Sequence, residues 1–394
     1  MARQADVIII GAGVIGLSTA YHLARQNNNL RIIIVEKEKF HGAGSTAQCT
    51  GGIRHQFTNP VNVQLTKISY PWFLRFAADM EYPIYFRKRG YLLVTGRAAR
   101  WQELQDIIKQ LNHLDIPARL LAPEEITASY PFVLTGDLLG GSYCPLDAYA
   151  DPYGVMEGYY RQCRKLGVQV LCDTEVTGIN TSDSAVTGVV CRQNSQPGNP
   201  AAVGETLDAP VVINAAGPHL HLLARMAGLT LPAAPYRRQV YVCAPIPAIP
   251  AGIPLLVDMD TGFYIHAEKN GILLLGGTDR DSSPGLETTV DRSRLPGFIE
   301  AATGRVPALE EAQITRIYTG IRSLTPDGLG ILGETGVKGF YCAGGFGGNG
   351  FMHAPAIGQI MSCLVLRKQP PLDPAPLSPE RFNNASNNAE GALF

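Results

Sequence analysis

The 394-residue sequence predicts an α/β fold, with a mostly parallel sheet assembled from separated segments and a second domain on a mostly antiparallel sheet. Three observations predict it. A strand, a glycine-rich turn, a helix and a second strand follow one another at the start of the chain. Strand-like and helical segments alternate through the middle, which is typical of α/β proteins. A second glycine cluster follows a strand near the end of the chain.

The start of the chain predicts a β-α-β unit. Val7–Ile10 is a short run of β-branched residues, and a helical stretch extends through Leu23 and Ala24. Arg31–Val35 is a second apolar run, and Glu36 closes it. Two parallel strands this close together in sequence require a crossover, which the helix supplies.

A G-x-G-x-x-G motif lies between that first strand and the helix, at residues 11–16. Gly11 permits the tight turn, Gly13 lets the backbone approach a pyrophosphate, and Gly16 permits close packing of the helix on the strand. Free amides and the helix dipole favour an anion at this helix start. Glu36 lies where an acid binds a ribose hydroxyl and disfavours a 2′-phosphate. The motif therefore predicts a Rossmann-like dinucleotide site for FAD or NAD rather than NADP.

The rest of the chain alternates between further helices and strands. The predicted helices are Arg100–Leu111 and Pro152–Leu166, and the predicted strands are Tyr91–Thr95, Gln169–Cys172, Val186–Arg192, Pro210–Ala215, Tyr236–Ala244, Ile272–Leu275 and Gly339–Ala343. We assign Tyr236–Ala244 and Ile272–Leu275 to a sheet outside the nucleotide fold. Asn194–Glu205 is rich in Gly, Pro and Asn and predicts a surface turn. The chain becomes Pro-rich from Gln369, and we expect Asn383–Phe394 to be disordered.

The composition argues against several classes of function. The chain has 33 basic and 34 acidic residues and a net charge of −1, so nothing predicts binding to nucleic acid or to an anionic membrane. The eight cysteines include no C-x-x-C pair, which gives no support for a metal site and favours a reducing compartment, the cytoplasm. The apolar stretch Val7–Ala24 contains glycines, Ser18, Thr19 and His22, so we predict neither a transmembrane helix nor a signal peptide.

Four separated stretches, which together span most of the chain, carry a resemblance to a known family. They are Asp6–Glu36, Gly42–Thr46 with Gly51–His55, Val211–Pro218, and Gly320–Gly328 with Gly344–Pro355. They resemble the D-amino-acid oxidase superfamily of FAD-dependent enzymes, especially glycine oxidase, the sarcosine oxidase β subunit, D-amino-acid dehydrogenase and the L-proline dehydrogenase β subunit. The last pair of stretches is the most specific, because an NAD-only dehydrogenase has no reason to carry it. The resemblance therefore implies FAD.

The second glycine cluster, Gly344–Gly350, also has a physical interpretation. It follows a predicted strand and precedes a helix, so its amides converge on one point. A helix start aimed at the N1/O2 edge of a flavin stabilises the negative charge of the reduced ring. The motifs and the resemblance together assign cofactor contacts to Gly11, Gly13, Val14, Ile15, Gly16, Glu36, Lys37, Gly44, Ser45, Thr46, Gly51, Gly52, Val176, Ala215, Ala216, Gly217, Gly345, Gly347, Gly348, Asn349, Gly350, Phe351 and Met352.

The resemblance also suggests which residues bind the substrate. Arg322 stands in a G-x-R sequence where the family's arginine holds the substrate carboxylate, and a guanidinium fork suits that group. Arg54, in Ile53–Phe57, matches an arginine near the substrate of monomeric sarcosine oxidases. Tyr264 and His266 lie on a strand expected over the flavin. The alternatives are a salt bridge for Arg322, packing or phosphate binding for Arg54, and a structural role for the last two.

Departures from the relatives shape the chemistry that the resemblance implies. Gly320 stands where monomeric sarcosine oxidases carry a flavin-linked cysteine, and Gln48 stands where some dimethylglycine-type relatives carry a flavin-linked histidine. We therefore expect FAD to be bound non-covalently, although Cys49 lies nearby in sequence. The oxygen-activating lysine of the monomeric oxidases is missing around Leu273–Leu275, and Met352 replaces their carboxylate-binding lysine. These absences weaken the case for O2 as the oxidant and shift carboxylate binding to arginine.

The resemblance divides the chain into two domains and a tail. The predicted FAD-binding domain comprises residues 1–82, 146–225 and 318–368, the substrate domain comprises residues 83–145 and 226–317, and the tail comprises residues 369–394.

The predicted function is FAD-dependent oxidation of a small amino acid or N-methyl amino acid, in which hydride passes to flavin N5 and leaves an imine. Positioning of the α-C–H bond supplies most of the catalysis. O2, a quinone or an electron carrier then reoxidises the flavin. The alternatives are an FAD-binding subunit of a heteromeric amine or proline dehydrogenase, an assembly factor without its own turnover, and an NAD-dependent reductase, which the second glycine cluster disfavours. A homo-oligomer is left open.

Overall fold

The computed structural model describes residues 3–194, 204–277 and 282–383. The predicted turn at 194–205 and the expected disordered end at 383–394 lie almost wholly outside these ranges. The α-helices are α1 (Val14–Gln26), α2 (Pro60–Asp79), α3 (Ala98–His113), α4 (Pro123–Ser129), α5 (Pro152–Lys165), α6 (Leu220–Met226), α7 (Leu295–Arg305) and α8 (Gly350–Val365). Short 3₁₀ helices span Gly217–His219, Arg292–Arg294, Pro307–Glu311, Ala375–Leu377 and Pro379–Asn383. Among the helices of the described residues, none combines the length and apolar character that a membrane crossing requires.

A six-stranded sheet forms the Rossmann-like part of the fold. Its strands, in spatial order, are β10 (Gln169–Leu171), β3 (Ile32–Val35), β2 (Val7–Ile10), β14 (Val212–Asn214), β21 (Phe340–Gly344) and β20 (Ile331–Glu334). All neighbouring pairs are parallel except β20–β21. Strands β2 and β3 are buried along their whole length. Continuous apolar runs of this kind are typical of parallel strands that are covered on both faces.

An eight-stranded sheet forms the second layer of the molecule. Its strands, in spatial order, are β19 (Ile314–Leu324), β15 (Ala234–Cys243), β18 (Leu273–Gly276), β17 (Tyr264–Ala267), β16 (Leu255–Asp258), β6 (Tyr91–Thr95), β8 (Gly140–Cys144) and β7 (Arg119–Leu121). Only the β16–β6 pair is parallel. The predicted mixed α/β fold with a mostly antiparallel second sheet is therefore confirmed.

Two smaller sheets complete the strand pattern. One contains β1 (Arg3–Gln4), β13 (Glu205–Asp208), β12 (Ala185–Gln193) and β11 (Thr174–Ser182), and the other contains β4 (Gly52–Ile53), β9 (Ala148–Ala150) and β5 (Phe86–Lys88). Every strand and helix predicted from the sequence is present, with ends that differ by one or two residues.

Helix α2 is the longest element that was not predicted from the sequence. It begins with Pro60, and the Asn59 side chain accepts a hydrogen bond from the Val61 amide, which is a standard helix start. Pro71 lies inside the helix and masks its periodic pattern, because proline usually ends a helix.

One predicted domain limit divides a strand. Strand β19 lies wholly in the eight-stranded sheet, whereas the predicted boundary at residue 318 falls within it. The strand ends at the turn that begins with Thr325 and Pro326, so the chain leaves the eight-stranded sheet at this turn. The other domain limits stay predictions.

Helices α1 and α8 pack closely, and their starts share one edge of the six-stranded sheet. Each follows the carboxyl end of a strand, β2 for α1 and β21 for α8, and β14 lies between those strands. The Ser18 hydroxyl donates a hydrogen bond of 2.8 Å to the Ala354 carbonyl oxygen. A Cβ atom on Gly358 would overlap the Ser18 hydroxyl and lie 2.7 Å from its carbonyl carbon. Small residues therefore set the distance between the two helices.

We expect Gly358→Ala to lower the free energy of unfolding by about 1 to 3 kcal/mol, because the added methyl group meets the Ser18 backbone in a packed core. The matched control is Gly304→Ala in α7, where an added Cβ meets no atom within 4 Å. That control should be neutral or stabilising by up to about 1 kcal/mol, since alanine favours helix. Urea unfolding of both variants checks this, and equal stabilities would contradict the close contact.

Candidate active site

A cavity of about 1210 Å³, which we name the central cavity, lies between the six-stranded and eight-stranded sheets and is lined by both glycine clusters. Gly13 and Gly348, from opposite ends of the chain, both line it. Small-molecule sites have volumes of roughly 300–1,000 Å³. The central cavity is larger, so it has room for a large cofactor together with a small substrate.

The first glycine cluster forms a backbone cradle at the start of α1. Gly11 has φ = +104°, and a Cβ atom there would lie 2.6 Å from the Ala215 carbonyl oxygen. Gly13 is the N-cap of α1 and offers no side chain to its first amides. The Val14 amide lies 3.4 Å from the Thr46 hydroxyl and donates to it. The remaining first-turn amides therefore suit an anionic group in the cavity.

Glu36 lies beside this cradle at the end of β3. One carboxylate oxygen accepts the Ala12 amide at 2.7 Å, and the other accepts the Glu38 amide at 2.9 Å. Burial raises the pKa of Glu36, and the two amide hydrogen bonds oppose this by stabilising the charged form. Each oxygen keeps a lone pair that can accept a ribose hydroxyl.

The second glycine cluster is a tight turn between β21 and α8. Gly345 and Gly347 have φ values of +72° and +56°, which glycine adopts without strain. The Gly347 amide donates to the Ser323 carbonyl oxygen at 2.8 Å, and this contact holds the turn against the end of β19. Asn349 makes no side-chain cap, so the first amides of α8 also lack a side-chain partner. Two uncapped helix starts therefore meet the same cavity.

Arg322, Arg54 and Tyr264 line the central cavity, as the sequence predicts for a shared site. The Arg322 guanidinium is half-buried and makes no hydrogen bond or ion pair with any residue that the structure describes. A Cβ atom on Gly348 would lie 3.2 Å from its Cζ, so a side chain there would crowd the guanidinium. Arg54 is 5% exposed, and its Cζ lies 4.2 Å from the centre of the Phe57 ring.

His266 lies outside the cavity lining, contrary to its predicted place at the site. It is 1% exposed, and its ring centre lies 5.3 Å from that of Tyr149. Burial lowers the pKa of His266 to about 4, so the ring is neutral. Tyr264 and His266 are two positions apart and share one strand face. Tyr264 lines the cavity, however, and His266 does not.

A sequence profile of the family described as FAD dependent oxidoreductase matches residues 6–364 of the chain. The chain belongs to this family.

Similar proteins were found among both curated sequences and solved structures. The chain is 28% identical to the mitochondrial dimethylglycine dehydrogenase of Rattus norvegicus, over 96% of this chain and 45% of that protein. It is 27% identical to sarcosine oxidase subunit beta of Rhodobacter capsulatus, over 94% of this chain and 87% of that protein. The chain therefore spans less than half of the dimethylglycine dehydrogenases that it matches.

Two solved structures share the fold over nearly the whole chain. L-proline dehydrogenase from P. horikoshii has a TM-score of 0.88 at 26% identity and covers 98% of this chain and 100% of its own. Glycine oxidase from Geobacillus kaustophilus has a TM-score of 0.83 at 25% identity and covers 95% of this chain and 98% of its own. The predicted family and the FAD cofactor are confirmed.

The residues of the central cavity fit FAD. Two uncapped helix starts, a glycine cradle that side chains would fill, and the Glu36 carboxylate suit a pyrophosphate, a ribose and a flavin ring that gains negative charge. All the predicted cofactor residues except Gly16 line the cavity. Gly16 packs on the Gly11 carbonyl oxygen, where a Cβ atom would overlap it. Its predicted role in helix–strand packing thus fits this position better than cofactor contact.

The two positions that would carry a covalent flavin link in relatives face each other across the cavity wall. A Cβ atom on Gly320 would lie 2.9 Å from the Gln48 Cβ. Cys49 lines the cavity beside them, and burial raises the pKa of its thiol to about 12, so the thiol stays protonated. These positions hold no reactive nucleophile, which supports the expectation of non-covalent FAD.

A buried polar network behind Arg54 contains His55, Cys144 and Asp147, whose ligand-type atoms lie within 4.8 Å of one another. The Asp147 carboxylate accepts the His55 amide at 2.7 Å, lies 2.8 Å from its Nδ1, and accepts the Gln56 amide group at 2.9 Å. Since the carboxylate already has these partners, we interpret the cluster as a structural anchor for the segment that carries Arg54. No sequence pattern predicts this cluster, because Asp147 is distant from His55 in the chain.

Sequence reasoning also missed several cavity residues. They are Tyr91, Arg238, Leu255 and Tyr318. All four lie on strands of the eight-stranded sheet. Alternation along a strand predicts which residues share a face, but it does not say which face meets the cofactor.

We expect Glu36→Ala to weaken FAD binding by about 10- to 100-fold, because hydrogen bonds to a charged acceptor contribute about 1.5–3 kcal/mol. Titration of the apoprotein with FAD, followed by flavin fluorescence, measures this. Glu205→Ala removes an exposed carboxylate outside the cavity and is the control. An unchanged dissociation constant for Glu36→Ala would remove Glu36 from the FAD site.

Proposed function

We propose that the chain oxidises the carbon–nitrogen bond of a small amino acid or N-methyl amino acid to an imine, which water then hydrolyses. The observation that carries this proposal is the Arg322 guanidinium, which has no partner among the described residues and lines the same cavity as both glycine clusters. A half-buried guanidinium without a counter-ion favours an anionic ligand. FAD, when bound in this cavity, would supply the electron acceptor for the hydride.

Arg322 orients the substrate through its carboxylate. Its fork can donate two parallel hydrogen bonds to the two carboxylate oxygens, which fixes direction as well as position. Gly348 lies directly against the guanidinium, so the carboxylate is held next to the glycine turn that opens α8. This arrangement limits how far the α-carbon can lie from the flavin and supplies the orientation on which hydride transfer depends.

The charges around the cavity favour a substrate amine that binds without its proton. The acidic residues among the described lining are Glu36, Glu38 and Glu175. They cluster at the nucleotide end, since Glu36 accepts the Glu38 amide and its carbonyl accepts the Thr174 amide at 2.9 Å. None of these carboxylates lies with Arg322, so an ammonium group would lack an ion-pair partner there. A neutral amine keeps the lone pair that assists hydride loss.

The names of similar proteins support a small amino acid as the class of substrate. Sarcosine oxidase subunit beta, the dimethylglycine dehydrogenases and glycine oxidase are each named for an amino acid with a small or methylated amine. The anaerobic screen described below identifies the individual substrate. O2, a quinone or an electron carrier reoxidises the flavin, and oxygen consumption by the reduced protein distinguishes the first from the other two.

A second candidate is an FAD-binding subunit that turns over only within a larger assembly. The observation that favours it is the likeness to a protein named as a β subunit, which the chain matches over 87% of that subunit's length. This candidate predicts flavin reduction by an amine only when the partner is present, or electron transfer that stops at the reduced flavin. Both candidates use the same cavity.

We expect small amino acids to bleach the flavin absorbance of the purified holoprotein under anaerobic conditions. The screen compares sarcosine, dimethylglycine, glycine, L-proline and D-amino acids with the corresponding amines that lack a carboxylate. Bleaching by an amino acid, but not by its decarboxylated amine, supports the proposal. Tightly bound FAD that none of these compounds reduces would contradict independent turnover and favour the subunit.

We expect Arg322→Gln to raise KM for the reducing amino acid by roughly 100-fold, since a buried hydrogen-bonded charge pair contributes about 2–5 kcal/mol to binding. Arg322→Lys should have an intermediate KM, because it keeps the charge but loses the fork. The control is Arg119→Gln, which removes an exposed arginine of β7 that forms an ion pair with Glu125. A KM for Arg322→Gln within a factor of about 2 of the control would argue that Arg322 does not bind the carboxylate.

A further inference from the structure

Tyr91 brings a hydroxyl group to the arginine-rich end of the central cavity. The residue opens β6, is 6% exposed and lines the cavity. Its hydroxyl makes no hydrogen bond with any residue in the described ranges. Because Tyr91 lines a ligand cavity and its hydroxyl has no partner among these residues, a bound ligand can supply the partner.

The position of this hydroxyl is fixed from several sides. A Cβ atom on Gly52 would overlap the Tyr91 hydroxyl oxygen, so the phenol is packed on the glycine backbone. The Tyr91 carbonyl oxygen accepts a hydrogen bond of 3.2 Å from the Gln56 side chain. Tyr91 is paired with Leu255 on one side and with Cys144 on the other. These contacts therefore fix where the phenol oxygen lies.

The surroundings keep the phenol protonated and able to donate. Burial raises the pKa of Tyr91 well above its usual value, while the guanidinium charges of Arg54 and Arg322 act in the opposite sense. The phenol is thus neutral at physiological pH. The hydroxyl packs on Gly52, two residues before Arg54, and Tyr91 lines the same cavity as Arg54 and Arg322. It therefore lies in the cavity where an anionic group is expected.

We propose that Tyr91 donates a hydrogen bond to the substrate carboxylate beside Arg322 and thereby restricts the site to amines that carry a carboxylate. This inference rests on the proposed function, whose substrate is an amino acid. An amine without a carboxylate would leave both the Tyr91 hydroxyl and the Arg322 guanidinium unpaired in a buried site. Sites built to hydrogen-bond a group reject analogues that lack it, because their own polar atoms are then left without partners.

The test uses a small carboxylate that cannot be oxidised as an amine. Wild-type holoprotein and Tyr91→Phe are titrated with propanoate and, as the neutral isostere, with propanamide, and binding is followed by the change in flavin absorbance. We expect Tyr91→Phe to bind propanoate about 10- to 100-fold more weakly than wild type, because one hydrogen bond to a charged group is lost. Binding of propanamide should be weak and equal in the two proteins.

The matched control is Tyr159→Phe, which removes the same hydroxyl from a tyrosine that is fully buried but lies outside the cavity lining. It should bind propanoate as wild type does. The proposal is overturned by an unchanged propanoate affinity in Tyr91→Phe, by an equal loss in Tyr159→Phe, or by a wild type that does not bind propanoate. Weaker FAD binding by Tyr91→Phe, together with unchanged propanoate affinity of the FAD-loaded variant, would overturn the proposal and assign the hydroxyl to the cofactor.

Kinetics add a readout that a purely structural role would not change. For an amino acid that reduces the flavin, Tyr91→Phe should raise KM with little change in kcat, because the hydrogen bond is present before and during the reaction. A fall in kcat with unchanged KM would overturn the proposal. The experiments also distinguish failure of the Tyr91 proposal from failure of the proposed oxidation. If propanoate binds through Tyr91 but no amino acid bleaches the flavin, the carboxylate site stands and the proposed oxidation does not.

Discussion

The contact between α1 and α8 is the constraint on which the rest of the site depends. The two helices start at the same edge of the six-stranded sheet, after β2 and β21, and pack through Ser18 and Gly358. Neither start has a side-chain cap. Two positive helix ends therefore face one cavity, which suits a cofactor with a pyrophosphate at one end and a ring that gains negative charge at the other. A larger residue at the contact would separate these ends.

Strand β19 transmits this arrangement to the substrate end. The Gly347 amide is bonded to the Ser323 carbonyl oxygen at 2.8 Å, and Leu324 forms a β-bridge with Phe346. Arg322 is therefore fixed relative to the glycine turn that it faces. The turn after β19 is fastened in its own right, because the Arg381 guanidinium donates to the Asp327 carboxylate at 2.7 and 3.1 Å. The tail thus stabilises the strand end that carries Arg322.

Charge is divided along the cavity in a way that matches its two ligands. Carboxylates surround the nucleotide end, where Glu36 can accept hydroxyl hydrogens, and guanidinium groups with tyrosine hydroxyls surround the other end. Burial keeps the Tyr91, Tyr264 and Cys49 side chains neutral by raising their pKa values. This second end therefore combines fixed positive charge with neutral donors, which suits the carboxylate and uncharged amine of the proposed substrate.

The sequence by itself determined the α/β fold, the dinucleotide motif and the family, because glycine turns and buried parallel strands leave strong local patterns. Gly11, Gly13, Glu36 and the turn at 344–350 were identified for this reason, and Arg322 through its motif. Only the tertiary structure decided that both glycine clusters share one cavity, that His266 lies outside its lining, and that Tyr91 lines it together with the arginines. These relations join residues that are distant in sequence, and a strand pattern does not specify which of its faces meets the cofactor.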